Sequence, residues 1–193
     1  MNNHNIFLKI QFYILSLLIL FALIIPLSIQ SPFECDEFIG ISKFLMNNII
    51  TIISILFCFL SLFIFYKLKH SWKGVTYPPY KIRTIKNENY EYLTFLTTHI
   101  IPLICIDLSK LRYVIIFVIL LILMGFMFIR MDLYYGNPSL ALFGYRLYKV
   151  ELEGVNTDDG IILISENELQ KGDCIRWIRI EERVWIAKAN RRE

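Results

Sequence analysis

The sequence has little of what the active site of a soluble enzyme is built from. Only 19% of its 193 residues are charged, whereas soluble domains average about 25%. Its four cysteines form no CxxC pair and show no cysteine–histidine spacing suited to zinc. It contains no phosphate loop, HExxH, GxSxG or glycine-rich dinucleotide turn. We therefore expect no catalytic residues, no metal site, no cofactor and no enzyme activity.

Long apolar runs dominate what is present, since 56% of the residues are hydrophobic and lie in blocks. A soluble core could not bury several helices that are apolar on every side, whereas lipid solvates them. About twenty apolar residues in a helix cross the hydrocarbon layer. The sequence therefore predicts an α-helical membrane protein with about four transmembrane helices, at residues 10–29, 44–66, 92–108 and 113–129.

The third block is the most polar of the four, and its candidate intramembrane polar residues are His99, Pro102 and Asp107. An ionisable group inside a span is costly and is a functional candidate by default. His99 could sense protons or ions. Alternatively, a neutral His99 donates to a carbonyl near Thr98 that Pro102 leaves unpaired, or to another helix, and so fixes a kink.

The connectors between spans predict the orientation, because lysine and arginine favour the cytoplasmic side. The loop at 67–91 carries six cations, whereas the loop between the first two spans carries three acids and Lys43. We therefore expect both termini in the cytoplasm. Lys110 and Arg112 would then lie in an outer turn. If the third block only re-enters the membrane, the C-terminus lies outside.

In the acidic loop, Cys35 is expected to be a free thiol, with a disulfide to a second copy as the alternative.

The hydrophobic period changes after residue 144. Segments 145–152, 160–165, 174–180 and 183–189 have the pattern of strands. Four short strands predict a small barrel-like or curled sheet, which would lean on the bundle or on a partner. The expected organisation is a four-helix transmembrane bundle at 1–135, an interfacial turn and helix at 136–144, and a β-rich cytoplasmic domain at 145–193.

Aromatic side chains lie among the cations of the loop at 67–91, and three interpretations stay open. The loop could contact anionic membrane lipids, dock a cytoplasmic protein or bind nucleic acid. From Arg146 onward the chain has nine cations and ten anions, which argues against direct binding of nucleic acid. The candidate docking residues are Trp72, Tyr77, Tyr80, Lys81, Arg83, Tyr145, Arg146 and Tyr148.

One stretch resembles a known family. The segment GNPSLALFGYRLY at 136–148 follows the last span and precedes the β-domain, and a YLT…P segment runs from Tyr92 to Pro102. Together with the chain length and the four-span layout, these segments resemble the KwaA family, the membrane component of the Kiwa anti-phage defence system. The family supplies no catalytic residues that match positions here.

The resemblance implies a bacterial inner-membrane sensor and scaffold. Such a protein would detect infection at the membrane, form a homo-oligomer, and recruit or regulate a soluble DNA-binding partner that is KwaB-like. The alternative function is an oligomeric pore or small transporter gated by the β-domain, with the polar residues of the third block lining its pathway.

Overall fold

The computed structural model describes residues 3–31, 33–34, 37–38, 40–72, 77–105, 107–108, 110–131, 133–155 and 160–189. Cys35, Lys73 (one of the six cations of the loop at 67–91) and the last four residues lie outside these ranges. The described helices are α1 (Asn3–Ser16), α2 (Leu18–Ser28), α3 (Ile41–Asn47), α4 (Ile49–Ser71), α5 (Tyr90–Cys105), α6 (Leu111–Arg130) and α7 (Pro138–Leu142).

Within the described residues, three helical segments are long and apolar enough to cross a membrane: Ile6–Ser28, Ile49–Ser71 and Leu111–Arg130. They match the first, second and fourth apolar blocks, so the prediction of membrane helices is confirmed there. The third block forms α5, which has 16 residues and is shorter than the roughly 20 residues that a span requires. The count of four spans is therefore not confirmed by helix length.

Polar side chains join the helices of the bundle at a few buried points. Ser28 and Thr51 share a hydrogen bond of 2.9 Å between α2 and α4, and Ser61 donates to the carbonyl of Ile14 at 3.0 Å. Outward-facing positions of α4 and α6 instead carry exposed apolar side chains such as Phe59, Phe63, Ile122 and Phe126. A lipid environment accepts such surfaces without the cost that water would impose.

The strands form two sheets. The short pair β1 (Phe33–Glu34) and β2 (Glu37–Phe38) lies in the acidic connector. The other strands, β3 (Tyr77–Asn87), β4 (Arg146–Leu152), β5 (Ile161–Ser165), β6 (Cys174–Arg179) and β7 (Val184–Ala189), close a barrel in the order β3-β4-β5-β7-β6. Among the strand pairs of the described residues, β5 and β7 form the single parallel pair. This Greek-key arrangement is that of OB-type barrels.

The predicted C-terminal barrel is confirmed, but one of its strands comes from elsewhere. Residues 77–87, which the sequence analysis assigned to the cytoplasmic loop at 67–91, form β3. The first half of β3 pairs with β6 and the second half with β4, with a register irregularity between Ile82 and Thr84. Ile82 is the one residue of β3 that is buried, so no alternation of apolar residues marks the strand. Pro78 and Pro79 lie at its beginning, where proline is tolerated.

Helices α5, α6 and α7 are inserted between the first two strands of the barrel. Segments on either side of this insertion therefore meet in one sheet. At that end of the barrel, Leu147 donates its amide to the side-chain oxygen of Asn89 at 2.7 Å, next to the start of α5. The inserted helices thus begin and end beside the same end of the barrel.

Candidate functional site

The bundle and the barrel share one apolar core, which we call the junction. The bundle contributes Phe12, Leu15, Ile64, Leu68, Trp72, Tyr92 and Phe128; Leu140 of α7, together with Tyr145, Leu147, Ile164, Val184 and Ile186 at and within the barrel, completes it. All of these side chains are buried. Burial of a large apolar side chain contributes about 1.5–3 kcal/mol, so separating the barrel from the bundle would be costly. The barrel is docked on the bundle.

Hydrogen bonds from the turn before α7 hold the backbone of α1. Asn137 donates from Nδ2 to the carbonyl of Phe12 at 2.9 Å, and Ser139 donates from Oγ to the carbonyl of Leu15 at 2.7 Å. The Asn137 side chain also accepts from the Ser139 amide and caps α7, with Pro138 at the first helical position. This turn belongs to the segment that carried the family resemblance, and its polar side chains fix α1 against α7.

Two ion pairs connect the helices with barrel loops. Lys9 of α1 lies 3.0 Å from Glu181 in the turn between β6 and β7, with side-chain exposures of 12% and 17%. Lys69, near the end of α4, lies 2.9 Å from Glu166 and is more exposed. Water screens the Lys9–Glu181 pair less, so its attraction is the stronger of the two.

Glu166 also accepts a hydrogen bond from the hydroxyl of Tyr145. This bond, followed by the interaction with Lys69, holds the pKa of Glu166 below its usual value of 4.5. Burial raises the pKa of Tyr145, and the neighbouring Glu166 adds to the effect. At neutral pH Glu166 is therefore ionised, and at the edge of the junction its carboxylate interacts with the hydroxyl of Tyr145 and the ammonium group of Lys69.

Aromatic rings fill the space between α1, α4 and the start of β4. Trp72 stacks on Phe12 with centroids 6.3 Å apart and meets Tyr145 edge-on at 5.6 Å. Phe65 stacks on Phe143 at 3.8 Å. Such pairs add about 0.5–1.5 kcal/mol beyond their area burial, and they make the relative position of helix and barrel specific.

The candidate docking residues separate into two groups. Trp72, Tyr145 and Tyr148 are 7%, 5% and 5% exposed and are core residues, so a partner could not reach their side chains in this conformation. The other five lie at the barrel surface, where Lys81 pairs with Glu153, Arg146 pairs with Glu168, Tyr77 and Tyr80 stack near Trp177, and Arg83 is exposed.

The polar residues of the third block lie in different surroundings. His99 is buried in α5, and its Nδ1 lies 2.9 Å from the carbonyl of Phe95 instead of one near Thr98. Its Nε2 has no hydrogen-bond partner among the described residues. Pro102 lies within α5. Asp107 follows the end of α5, is exposed and pairs with Lys110 at 3.1 Å. Its carboxylate is thereby kept at a polar turn.

The charged residues that join the helices to the barrel loops, among them Lys9, Glu166 and Glu181, were not predicted from the sequence. Single charged residues in connectors give no local signal of a distant partner. Asn137 was not singled out either, although Asn-Pro-Ser before an apolar run is typical of a helix N-terminus. Within the described ranges, no group of three or more metal-ligating side chains is placed to hold an ion.

Comparison with known proteins agrees with the sequence motif and the architecture. The model of the family described as "Anti-phage protein KwaA" matches residues 8–186. A relative named "Kiwa protein KwaA", from Escherichia coli O55:H7 (strain RM12579 / EPEC), is 35% identical over 190 residues, which cover 95% of this chain and 97% of the relative. No solved structure matches. The chain therefore belongs to the KwaA family of anti-phage proteins.

Proposed function

We propose that this chain is an inner-membrane sensor and scaffold of the Kiwa defence system, in which the bundle responds to infection and the barrel presents that response to a soluble partner. The junction carries this proposal, because α1, α4 and the barrel share a buried core and two ion pairs, and two buried hydrogen bonds join α1 to α7, which precedes β4. A shift of α1 within the membrane would have to move or strain the barrel. Close-packed interfaces respond to such shifts by changing between discrete packings.

The pairing of strands in the barrel is also an argument for a fourth membrane span. Two residues separate Asn87, the end of β3, from the start of α5, whereas β4 follows α7. Strands β3 and β4 pair with each other in the barrel. The chain between them must therefore return to the side of the membrane from which it left. Since α6 is long enough to cross, α5 would supply the other crossing. Its 16 residues extend about 24 Å, and the flanking residues would complete the path.

The charges support a cytoplasmic barrel with both termini on the same side. The Lys9–Glu181 pair brings the start of the first span to the barrel. Lys67, Lys69 and the cations of β3 lie on the barrel side, whereas acidic residues dominate the connector between the first two spans. Cationic connectors favour the cytoplasm.

We further propose that copies of the chain associate in the bilayer, and that a KwaB-like soluble partner docks on the exposed part of β3. Tyr77, Lys81 and Arg83 remain accessible there. The outward apolar faces of α4 and α6 would contact lipid and neighbouring copies. In this proposal the chain has no enzyme activity, binds no cofactor and does not contact nucleic acid itself.

The test is recovery of the KwaB-like partner with the tagged full-length chain from phage-challenged cells. The Tyr77→Ala/Arg83→Glu variant should lose most of the partner and of the protection while reaching the same level in the membrane. Lys149→Glu, which reverses a cation on β4 instead, should behave as wild type. Unchanged recovery with the first variant would reject β3 as the docking surface.

The second candidate is an oligomeric pore or small transporter gated by the barrel. The buried Nε2 of His99, which lacks a partner among the described residues, favours it as a contact for a proton or an ion. Planar-bilayer recordings separate the two functions. A scaffold should conduct no current, whereas a conductance that His99→Leu abolishes would establish the pore.

A further inference from the structure

A small pocket opens at the edge of the junction, between the end of α4 and the barrel. It encloses about 140 Å³ and is lined by Lys69, Trp72, Tyr145, Glu166, Ile186, Ala187 and Lys188. A cavity of about 150 Å³ holds a molecule the size of benzene, so the pocket has room for one small chemical group. Its floor is apolar and aromatic, whereas its charged residues are exposed at the rim.

The pocket lies where the second span leaves the membrane. Lys69 is two residues from Ser71, the last residue of α4, and its ammonium lies 6.0 Å from the centre of the Phe65 ring. Tyr66 on the same turn and Leu142 of α7 are large side chains that remain mostly exposed. Aromatic and cationic side chains at a helix end are typical of the head-group layer. The opening thus lies within reach of lipid head groups.

The charges at the rim favour an anion. Two lysines face one glutamate, so the rim carries a net charge of +1. Lys69 is paired with Glu166, whereas Lys188 forms no ion pair with any described residue, although it lies close enough to Glu166 to favour the ionised form of that carboxyl. A second anion could therefore bind Lys188 directly and share or displace Glu166 at Lys69.

We propose that this pocket binds the phosphate head group of an anionic phospholipid from the leaflet beside the barrel, between Lys69 and Lys188. The acyl chains would stay in the bilayer alongside Tyr66 and Leu142. Glu166 occupies part of the site as an internal competitor, because its carboxylate holds Lys69 when no lipid is bound. Lipid binding would then weaken the contact between α4 and the barrel at Lys69. This proposal depends on α4 crossing the membrane but not on the defence role.

The experiment uses the full-length chain, stripped of lipid in detergent micelles, and counts bound lipid by native mass spectrometry. The probes are dihexanoyl phosphatidylglycerol, dihexanoyl phosphatidylcholine and inorganic phosphate. Lys69→Gln/Lys188→Gln is compared with Lys149→Gln/Lys171→Gln, which removes the same charge from exposed barrel positions outside the pocket. Since the Lys69–Glu166 pair is exposed, its loss should leave folding intact, which thermal unfolding checks.

Wild type and the control should bind phosphatidylglycerol equally, while the pocket variant should bind it more weakly by roughly fivefold for each lysine removed. Glu166→Gln should bind it more tightly, since the competing carboxylate is gone. Equal binding by the pocket variant and the control would overturn the site. Equal affinity for phosphatidylcholine or inorganic phosphate would overturn an anionic lipid as the ligand, and weaker binding of phosphatidylglycerol by Glu166→Gln would overturn Glu166 as an internal competitor.

Discussion

Gly125 of α6 shows how a single residue sets the distance between two spans. A Cβ at this position would lie 2.6 Å from Cε1 of Tyr13 in α1, closer than real carbon atoms approach. The Tyr13 ring has little freedom to move away, because its hydroxyl donates to the carbonyl of Leu121 and its ring packs at 5.3 Å from Phe128. Glycine is therefore required here for close approach.

Gly125→Ala should push the Tyr13 ring out of place and weaken its hydrogen bond to Leu121. Overpacking of this kind costs about 1–3 kcal/mol. Unfolding of the purified chain by denaturant in mild detergent measures the loss of stability. Val118→Ile adds one carbon to an exposed position of the same helix and should change stability little. Equal stability of the two variants would contradict the close packing at Gly125.

At the scale of elements, α1 is the helix that connects the membrane bundle with both α7 and the barrel. Its backbone accepts the hydrogen bonds of Asn137 and Ser139, and its Lys9 pairs with Glu181 in the turn between β6 and β7. This turn lies between the two predicted strand segments at 174–180 and 183–189. The ion pair between this turn and α1 can form only when the barrel is folded, because the two residues are far apart in the sequence.

A double-mutant cycle on Lys9 and Glu181 measures this attachment. Lys9→Gln and Glu181→Gln should each destabilise the chain, and their effects should be non-additive by about 1–3 kcal/mol, as for a hydrogen bond between charged groups. The matched cycle on Lys81 and Glu153, which are 3.5 Å apart and 53% and 54% exposed, should give less than about 1 kcal/mol. Additive effects at Lys9 and Glu181 would show that this pair does not couple α1 to the barrel.

For the whole molecule, the closed barrel constrains the path through the membrane. The chain leaves the barrel at β3 and returns at β4, so an even number of crossings must lie between them. With α6 as one crossing, we propose α5 as the other, which would place the turn at Lys110 on the face opposite the barrel. Helix length alone would have excluded α5.

Labelling of single cysteines in intact bacteria with an outer membrane made permeable tests this path. With the other native cysteines replaced, Lys110→Cys should react with an impermeant maleimide before lysis, and so should Met46→Cys, which is exposed on α3. The native Cys174, exposed on β6, should react only after lysis. Protection of position 110 before lysis would exclude α5 as a crossing and, because β3 and β4 pair in one barrel, α6 as well. Reaction of Cys174 before lysis would show that the barrel lies on the outer side of the membrane, opposite to the proposed orientation.

Much of the architecture follows from local patterns. The apolar blocks predicted four membrane helices, of which three are long and apolar enough to cross a membrane, and the strand patterns predicted β4, β5, β6 and β7 nearly to their ends. The short apolar run after the predicted turn indicated a helix where α7 lies. In each case the signal lies within one segment, because the period of apolar residues reflects which face of that segment is buried.

The rest depended on contacts between distant segments. Strand β3 pairs with residues more than sixty positions away, and its outward cations and prolines resemble those of a loop until β4 and β6 are in place. Trp72, Tyr145 and Tyr148 have the composition of a docking surface, yet the fold buries them. The sequence by itself determined three helices long and apolar enough to cross a membrane and four of the five barrel strands, since hydropathy and period are local properties. The tertiary structure alone decided that the barrel closes through β3 and shares its core with the bundle, because burial depends on what packs against each side chain.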